Sequence, residues 1–534
     1  MLRVLRHDIL DPEKFVITLE LVPGRESKGR KIDAVLKIAS DAYADGRISA
    51  VSMTDNPGGN PSLSPDVLGH EIFRFGMDVI THFTCRDLNR IGMESRAWQL
   101  DRMGMKNVLA LTGDYSGTGF GGQGKPVFDL DSVSLVCALN MLSRKLEERG
   151  DPEGFFVGCA VSPFKSMESE TFTQYAKLCR KAAAGAHFVI TQLGYDARKF
   201  QELLQVQRDF GVRLPALASI YHLTPGVAAV MNSGKIPGVV VTDKLLRRVQ
   251  DEWRGKEAGR SAAIERSARL IAVVKGLGYR GVHVAGIHGS FETAARILDR
   301  SAEIQDRWEE FIPDFDFPQE NGFYIYGRDP KTGLSTDEPG GFNSSASRME
   351  RLGYNAFKQA HNIMFDFNSP LEPGLRIVAE ALDKRRAGRL VMHALEDSTK
   401  WLLLGCRRCG DCAIQHVAFL CPESQCPKHM RNGPCGGSRG GRCEVRPERN
   451  CVWRRAYRRL AAAGETRELA FDCVPPRMWE LNRTSSWLNF HLQRDHQSKG
   501  GEITDACGAS GCGVPDAFLA GRGENAHGVG KKRG

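Results

Sequence analysis

Gly154-Phe-Phe-Val-Gly-Cys-Ala-Val161, the amphipathic run 169–184 that stops at Gly185, and His187-Phe-Val-Ile-Thr-Gln192 together decide the fold. Both apolar runs lack the alternation of a strand with one wet face, so they read as strands buried on both sides. The run between them keeps helical spacing and ends where glycine commonly ends a helix. Strand, helix and strand of this kind make a parallel crossover unit. Working outward, the same cadence recurs at 16–22, 48–54, 78–84, 107–112, 215–220 and 281–286. Eight strands with helices between them, within residues 1–305, predict an α/β fold, a (β/α)8 TIM barrel. A doubly wound open sheet is the alternative, because a strand count alone does not close a barrel.

Beyond the barrel, residues 306–346 are rich in Gly, Pro, Asp and aromatics, as in Phe317-Pro-Gln-Glu-Asn-Gly-Phe-Tyr-Ile-Tyr-Gly327, and read as an ordered connection. Helical spacing returns and leads into a cluster of cysteines, so 347–495 reads as a smaller cysteine-rich, metal-binding domain with a basic helix at 452–463. Residues 496–534 have little to bury and read as a disordered tail. With 534 residues, two or three domains are expected, and 41% hydrophobic with 26% charged residues is a globular composition. No apolar run reaches the ~18 residues of a membrane-spanning helix, and the start lacks a secretory signal. A cytoplasmic protein with no membrane span is therefore expected. The net charge of +9 is modest. No basic strip interleaved with aromatics points to nucleic acid, although the excess would steer anionic ligands or acidic partners.

Polar residues collect at the strand ends: Glu20, Thr54-Asp55-Asn56, His82, Gly113-Asp114 and Gln192. Barrel active sites are built at that end of the strands. A carboxyl at the end of the first strand is costly to bury ionised, so the Glu20 pKa is expected to rise and suit a general acid; an ion pair with Arg25 is the alternative. The loop Gly119-Phe-Gly-Gly-Gln-Gly124-Lys125-Pro126 matches two nucleotide-binding patterns on paper. Pro126 lacks the hydroxyl a P-loop needs after its lysine, and the loop runs on into an extended stretch rather than a helix, so neither pattern applies.

The order Glu20-Leu-Val-Pro23, Thr54, His82-Phe-Thr84, Gly113-Asp114, Lys181 and Ile190-Thr-Gln192 resembles methylenetetrahydrofolate reductase over residues 15–290. That resemblance implies a barrel flavoprotein, FAD or FMN, acting on a tetrahydrofolate. It implies Glu20 as the general acid that helps open the folate ring and Asp114 as the carboxylate beside flavin and pterin. Gln192 matches a folate-binding glutamine, and Thr54, His82 and Lys181, with Asp114, match flavin-contacting positions. The chain departs from the pattern in three places. Thr112-Gly-Asp114 stands where relatives have Arg-Gly-Asp, Gln174 where an aspartate holds adenosine, and Leu223 where an aromatic stacks on nicotinamide or folate.

Fifteen cysteines are present, and eight lie between Cys406 and Cys451. In a reducing compartment such a cluster points to metal. It reads Cys406-Arg-Arg-Cys409-Gly-Asp-Cys412, Cys421-Pro, Cys426-Pro-Lys, Asn432-Gly-Pro-Cys435-Gly-Gly, Cys443 and Cys451. The close spacing followed by Cys-Pro echoes ferredoxin ligation, and eight thiolates serve two [4Fe–4S] clusters. Two zinc sites are the alternative, with His416 and His429 as possible stand-in ligands. Between 406 and 460 there are eleven Arg and one Lys against four acids, which suits anionic clusters and an acidic electron carrier such as ferredoxin. Together with Thr484-Ser-Ser-Trp-Leu-Asn-Phe490, this segment is similar to the small partner subunit of acetogen-type methylenetetrahydrofolate reductases. The resemblance implies electrons relayed to the flavin, with NAD(P)H and structural zinc, or an adaptor for a corrinoid methyltransferase, as the alternatives.

Overall fold

The computed structural model describes residues 4–151, 153–342, 347–470 and 473–499. Eight parallel strands form a closed barrel: β1 Val16–Leu21, β2 Ala50–Met53, β3 Val79–Thr84, β4 Asn107–Leu111, β5 Phe156–Val161, β6 Phe188–Thr191, β7 Ala216–Tyr221 and β8 Gly281–Ala285. Each lies within a run expected from the sequence or one residue beyond it. Thr18 of β1 pairs with Ala50 on one side and His283 on the other, so the sheet closes and the open-sheet alternative is excluded.

The lower half of the barrel is plugged. Val16, Ala50, Ile80, Leu109, Phe156 and Phe188 point inward and pack with Leu5 and Ile9 of the N-terminal helix Val4–Leu10. The Phe156 and Phe188 rings stack at 5.2 Å. Gly158 is required beside them, because a Cβ there would stand 2.3 Å from the Phe188 ring. Space remains only at the C-terminal strand ends.

The helix expected at 169–184 occupies Glu168–Ala183 and is buried on almost every face. A barrel helix normally keeps one wet face. Here the basic helix Val452–Ala463 covers it: Trp453 is fully buried, Tyr457 stacks on Phe172 at 5.5 Å and donates to Glu168 at 2.6 Å. One apolar core therefore runs from the barrel shell into the cysteine-rich segment.

The connection carries a 3-10 helix, Gln305–Phe315, and a hairpin of Tyr326–Arg328 with Ser335–Pro339. It is pinned by Tyr324, which donates to Asp196, and by the Ile325 amide on Glu202 at 2.6 Å. Helices Arg348–Met364, Glu372–Asp383 and Arg386–Leu404 follow. The tail expectation needs correction at its start. His496–Lys499 is a helical turn, and His496 is buried because its ring bonds Asp411 at 2.5 Å; the remainder of the expected tail, 500–534, lies outside the described residues. The glycine loop forms a small hairpin, Thr118–Gly119 with Gly122–Gln123, and no helix begins until Ser132. Among the described residues, no helix is long and apolar enough to cross a membrane.

Candidate functional site

The open end of the barrel holds a cleft of about 300 Å³, at the lower end of small-molecule sites. Glu20, Thr54, His82, Asp114, Lys181 and Gln192 all line it. They meet because most sit at or just past a strand end, and a closed barrel turns those ends toward one axis.

Glu20 lies 3.8 Å from Nε2 of His283 on the neighbouring strand β8. His283 shares Nδ1 with the Thr18 hydroxyl at 2.8 Å and Nε2 with Ser52 at 3.4 Å. Burial pushes the Glu20 pKa up, as expected from its position. The imidazole of His283 beside it outweighs that push, and the carboxyl is held below its ordinary range. The expected rise is thus corrected, and the partner is His283 rather than Arg25. Barrel closure is the physical reason, since it brings β8 against β1.

Burial takes the His82 imidazole down to about 4, so it is neutral near pH 7. Its Nε2 is buried without a hydrogen-bond partner, as are Thr54 Oγ1, Ser162 Oγ and Gln174 Nε2. Orphaned buried polar atoms are costly. Four around one cleft fit a ligand rich in donors and acceptors, as a flavin is.

Gly113 adopts φ +86°, and a Cβ there would stand 3.0 Å from Thr84, so glycine is needed to turn Asp114 into the cleft. Asp114 accepts from the Gly58 amide at 3.1 Å. Lys181 donates to the Ala160 carbonyl, and burial pushes its ammonium down to about 8. Gln192 reaches the Pro237 carbonyl at 3.4 Å and accepts from the Leu193 amide at 2.9 Å. Gln174 lines the cleft. Leu223 is fully buried in the apolar shell and is not among the residues lining the cleft.

The far wall comes from the cysteine-rich segment: Lys428, Pro434, Cys435, Gly436, Gly437 and Glu444. Barrel lysines clamp this loop by its carbonyls, Lys165 on Ser438 at 2.7 Å and Lys177 on Pro434 at 3.1 Å. The Asn432 amide donates to Asp131 at 2.9 Å.

Cys406, Cys409, Cys412 and Cys421 surround one small cavity beside Lys400, whose ammonium is 3.7 Å from Cys412 Sγ. Cys435 and Cys443 lie within electrostatic reach of Cys426, and Cys451 within reach of Cys435 and Cys426, which makes a second quartet. Burial pushes the Cys406 thiol up to about 11 and Cys426 up to about 12. Such thiols ionise only when a cation draws the proton off. Within neither quartet do three sulfurs lie within 4.8 Å of one another; among the described residues only Glu20, His82 and His283 form such a set. Both His283 nitrogens already face hydroxyls. His416 is engaged with His496 at 3.1 Å and His429 with Glu423 at 3.3 Å.

Sequence reasoning missed His283, Lys177 and Lys428. His283 carried a signal, since it lies inside an expected strand near its C-terminal end. Lys428 carried none, because its contact with Gly113 spans 315 residues.

Residues 5–302 match the family model described as methylenetetrahydrofolate reductase, and residues 387–480 match one described as methylene-tetrahydrofolate reductase C terminal. A "Probable methylenetetrahydrofolate reductase (NADPH)" of Caenorhabditis elegans is 24% identical over 274 residues, which cover 49% of this chain and 39% of the relative. "Methylenetetrahydrofolate reductase 1" of Schizosaccharomyces pombe is 24% identical over 269 residues, 49% of this chain and 42% of the relative. A "Probable methylenetetrahydrofolate reductase (NADH)" of Oryza sativa subsp. japonica is 26% identical over 164 residues, 29% of this chain and 25% of the relative. The match thus spans well under half the length of these relatives.

Proposed function

The chain belongs to the methylenetetrahydrofolate reductase family, and on that premise we propose that it is a flavin-dependent oxidoreductase that converts 5,10-methylenetetrahydrofolate to 5-methyltetrahydrofolate, or runs that step in reverse. The observation that carries the proposal is the cleft itself, with four orphaned polar atoms on its walls and a carboxylate–imidazole pair among its lining residues. A flavin bound there would supply the hydride that turns the one-carbon bridge into a methyl group, chemistry that belongs to the cofactor.

The chain's own residues then have distinct tasks. Thr54, His82 and Gln174 offer unpartnered polar atoms to a flavin. Lys181 offers a cation to its phosphate. Glu20, beside His283, would deliver a proton to the folate nitrogen that must leave the bridge. Asp114 places negative charge where the opened folate becomes cationic. Gln192 gives up a long bond to Pro237 and fixes the pterin.

The two cysteine quartets would hold iron–sulfur clusters that supply single electrons. The spacing Cys406-x2-Cys409-x2-Cys412 followed by Cys421-Pro echoes ferredoxin ligation and supports a cluster core in preference to zinc. Nearby cations such as Lys400 and Lys428 favour an anionic cluster. Cys435 stands on the cleft wall, which puts the second quartet nearest the barrel site. Ferredoxin is the donor this arrangement suits. The names of the relatives favour a second reading, in which NADPH or NADH reduces the flavin directly and the cysteines hold structural zinc.

The test is an anaerobic preparation of the full chain, with its visible spectrum and iron, zinc and acid-labile sulfide content. Flavin with about eight irons supports the relay. Flavin with zinc, bleached rapidly by NADPH or NADH, supports the second reading. A chain that takes up no flavin sinks both.

A further inference from the structure

Lys428 is a residue of the cysteine-rich segment, yet its ammonium is buried inside the barrel cleft. It donates to the Gly113 carbonyl at 2.7 Å and forms an ion pair with Glu444. Gly113 is the left-handed turn that aims Asp114, and Glu444 accepts in turn from Cys435 Sγ at 3.6 Å. The Lys428–Glu444 pair therefore lies between the second cysteine quartet and the Gly113–Asp114 turn. The hydrogen bond to Gly113 and the ion pair with Glu444 together hold the ammonium at this place in the cleft.

We propose that Lys428 is a positioning residue of the barrel site: it fixes the Asp114 turn from across the domain boundary and supplies the cleft with a buried cation that favours the reduced, more negative flavin. This rests on the flavin reading above. Thr112 stands at the strand end beside this turn and brings no charge of its own. The barrel's Arg86 is ion-paired with Asp87 and meets Asp114 by its backbone carbonyl, at 3.5 Å. The ammonium bonded to the Gly113 carbonyl thus comes from the cysteine-rich segment, which makes the barrel site incomplete without it.

The experiment compares the wild type with Lys428→Met, Lys428→Arg and Glu444→Gln as full chains. For each, flavin affinity is read by fluorescence, the flavin midpoint by spectroelectrochemistry at pH 7, and iron and zinc content by elemental analysis. Lys428→Met is expected to lower the equilibrium constant for two-electron reduction about tenfold, roughly 30 mV, with metal content unchanged. Lys428→Arg is expected to restore most of that shift. Glu444→Gln removes the neutralising carboxylate and is expected to move the midpoint the other way, which keeps the test decisive if Lys428→Met does not fold. A midpoint unmoved in Lys428→Met, or one that falls in Glu444→Gln, overturns the proposal. So does a loss of metal or thermal stability without a shift, the mark of a purely structural lysine. A wild type that binds no flavin is a different failure, that of the underlying reading, and would be seen before any variant is made.

Discussion

Two side chains carry most of what the cleft can do with protons and anions. The imidazole next to Glu20 lowers its pKa, and replacing Glu20 by glutamine removes the proton carrier and leaves the shape. Glu20→Gln should keep flavin affinity and lose folate-dependent hydride transfer by about 10²–10⁴-fold, the usual worth of a general acid. Single-turnover mixing of reduced enzyme with methylenetetrahydrofolate reads this directly, and near-normal transfer removes Glu20 from the role. Lys181 gives a pH prediction. Burial depresses its pKa to about 8 from an ordinary value near 10.4. Below pH 8 the ammonium is charged in the fold at a cost in stability, and that cost fades as pH rises toward 10.4. A bound phosphate favours the charged form, so phosphate affinity should be steady below pH 8 and fall above it. Titrating the affinity for flavin mononucleotide from pH 7 to 10 checks the slope, and Lys181→Met should abolish it.

At the scale of elements, the helices Glu168–Ala183 and Val452–Ala463 are the joint on which the barrel and the cysteine-rich segment meet. Trp453 is fully buried there, and Trp453→Ala should cost about 3–5 kcal/mol. Because the core is continuous across the joint, denaturant should unfold both parts earlier, by tryptophan fluorescence and by far-UV dichroism alike. If the dichroism midpoint stays put, the two parts fold independently. The same joint marks the limit of what was legible in the sequence. The eight strands were readable because strands buried on both faces leave uninterrupted apolar runs, and the helix Val452–Ala463 because its apolar spacing is local. What covers Glu168–Ala183 was not readable, since packing between distant segments leaves no local periodicity. The strand-end residues Glu20, Asp114 and Gln192 could be gathered into one site once a barrel was supposed. The electrostatic state of Glu20 could not, because its sign is set by His283 on the strand that closes the barrel. A carboxyl pKa depends on what surrounds it, and only closure supplies the neighbour.

For the whole molecule, the order of the two quartets along the path to the cleft makes a prediction that neither quartet makes alone. Cys435 belongs to the cleft wall, whereas Cys406, Cys409, Cys412 and Cys421 enclose a separate cavity against the helix Arg386–Leu404. The short helix Pro422–Gln425 joins Cys421 to Cys426, so at most about 17 Å of chain separates the two sets. If electrons enter through the first quartet and leave through the second, damage to each has a different signature. Cys409→Ser should halve the iron content and abolish turnover driven by reduced ferredoxin. It should leave intact the reverse half-reaction, bleaching of the flavin by methyltetrahydrofolate, because every residue of the cleft remains. Cys435→Ser should also halve the iron, but it alters the cleft wall and should slow both reactions. Were the cysteines a structural zinc knot feeding no electrons, both variants would lose zinc, and turnover with NADPH or NADH would fall only as far as stability does. Stopped-flow rates in both directions with metal content on the same samples separate these cases: a Cys409→Ser enzyme that still turns over with ferredoxin would refute the relay order, whatever metal it holds.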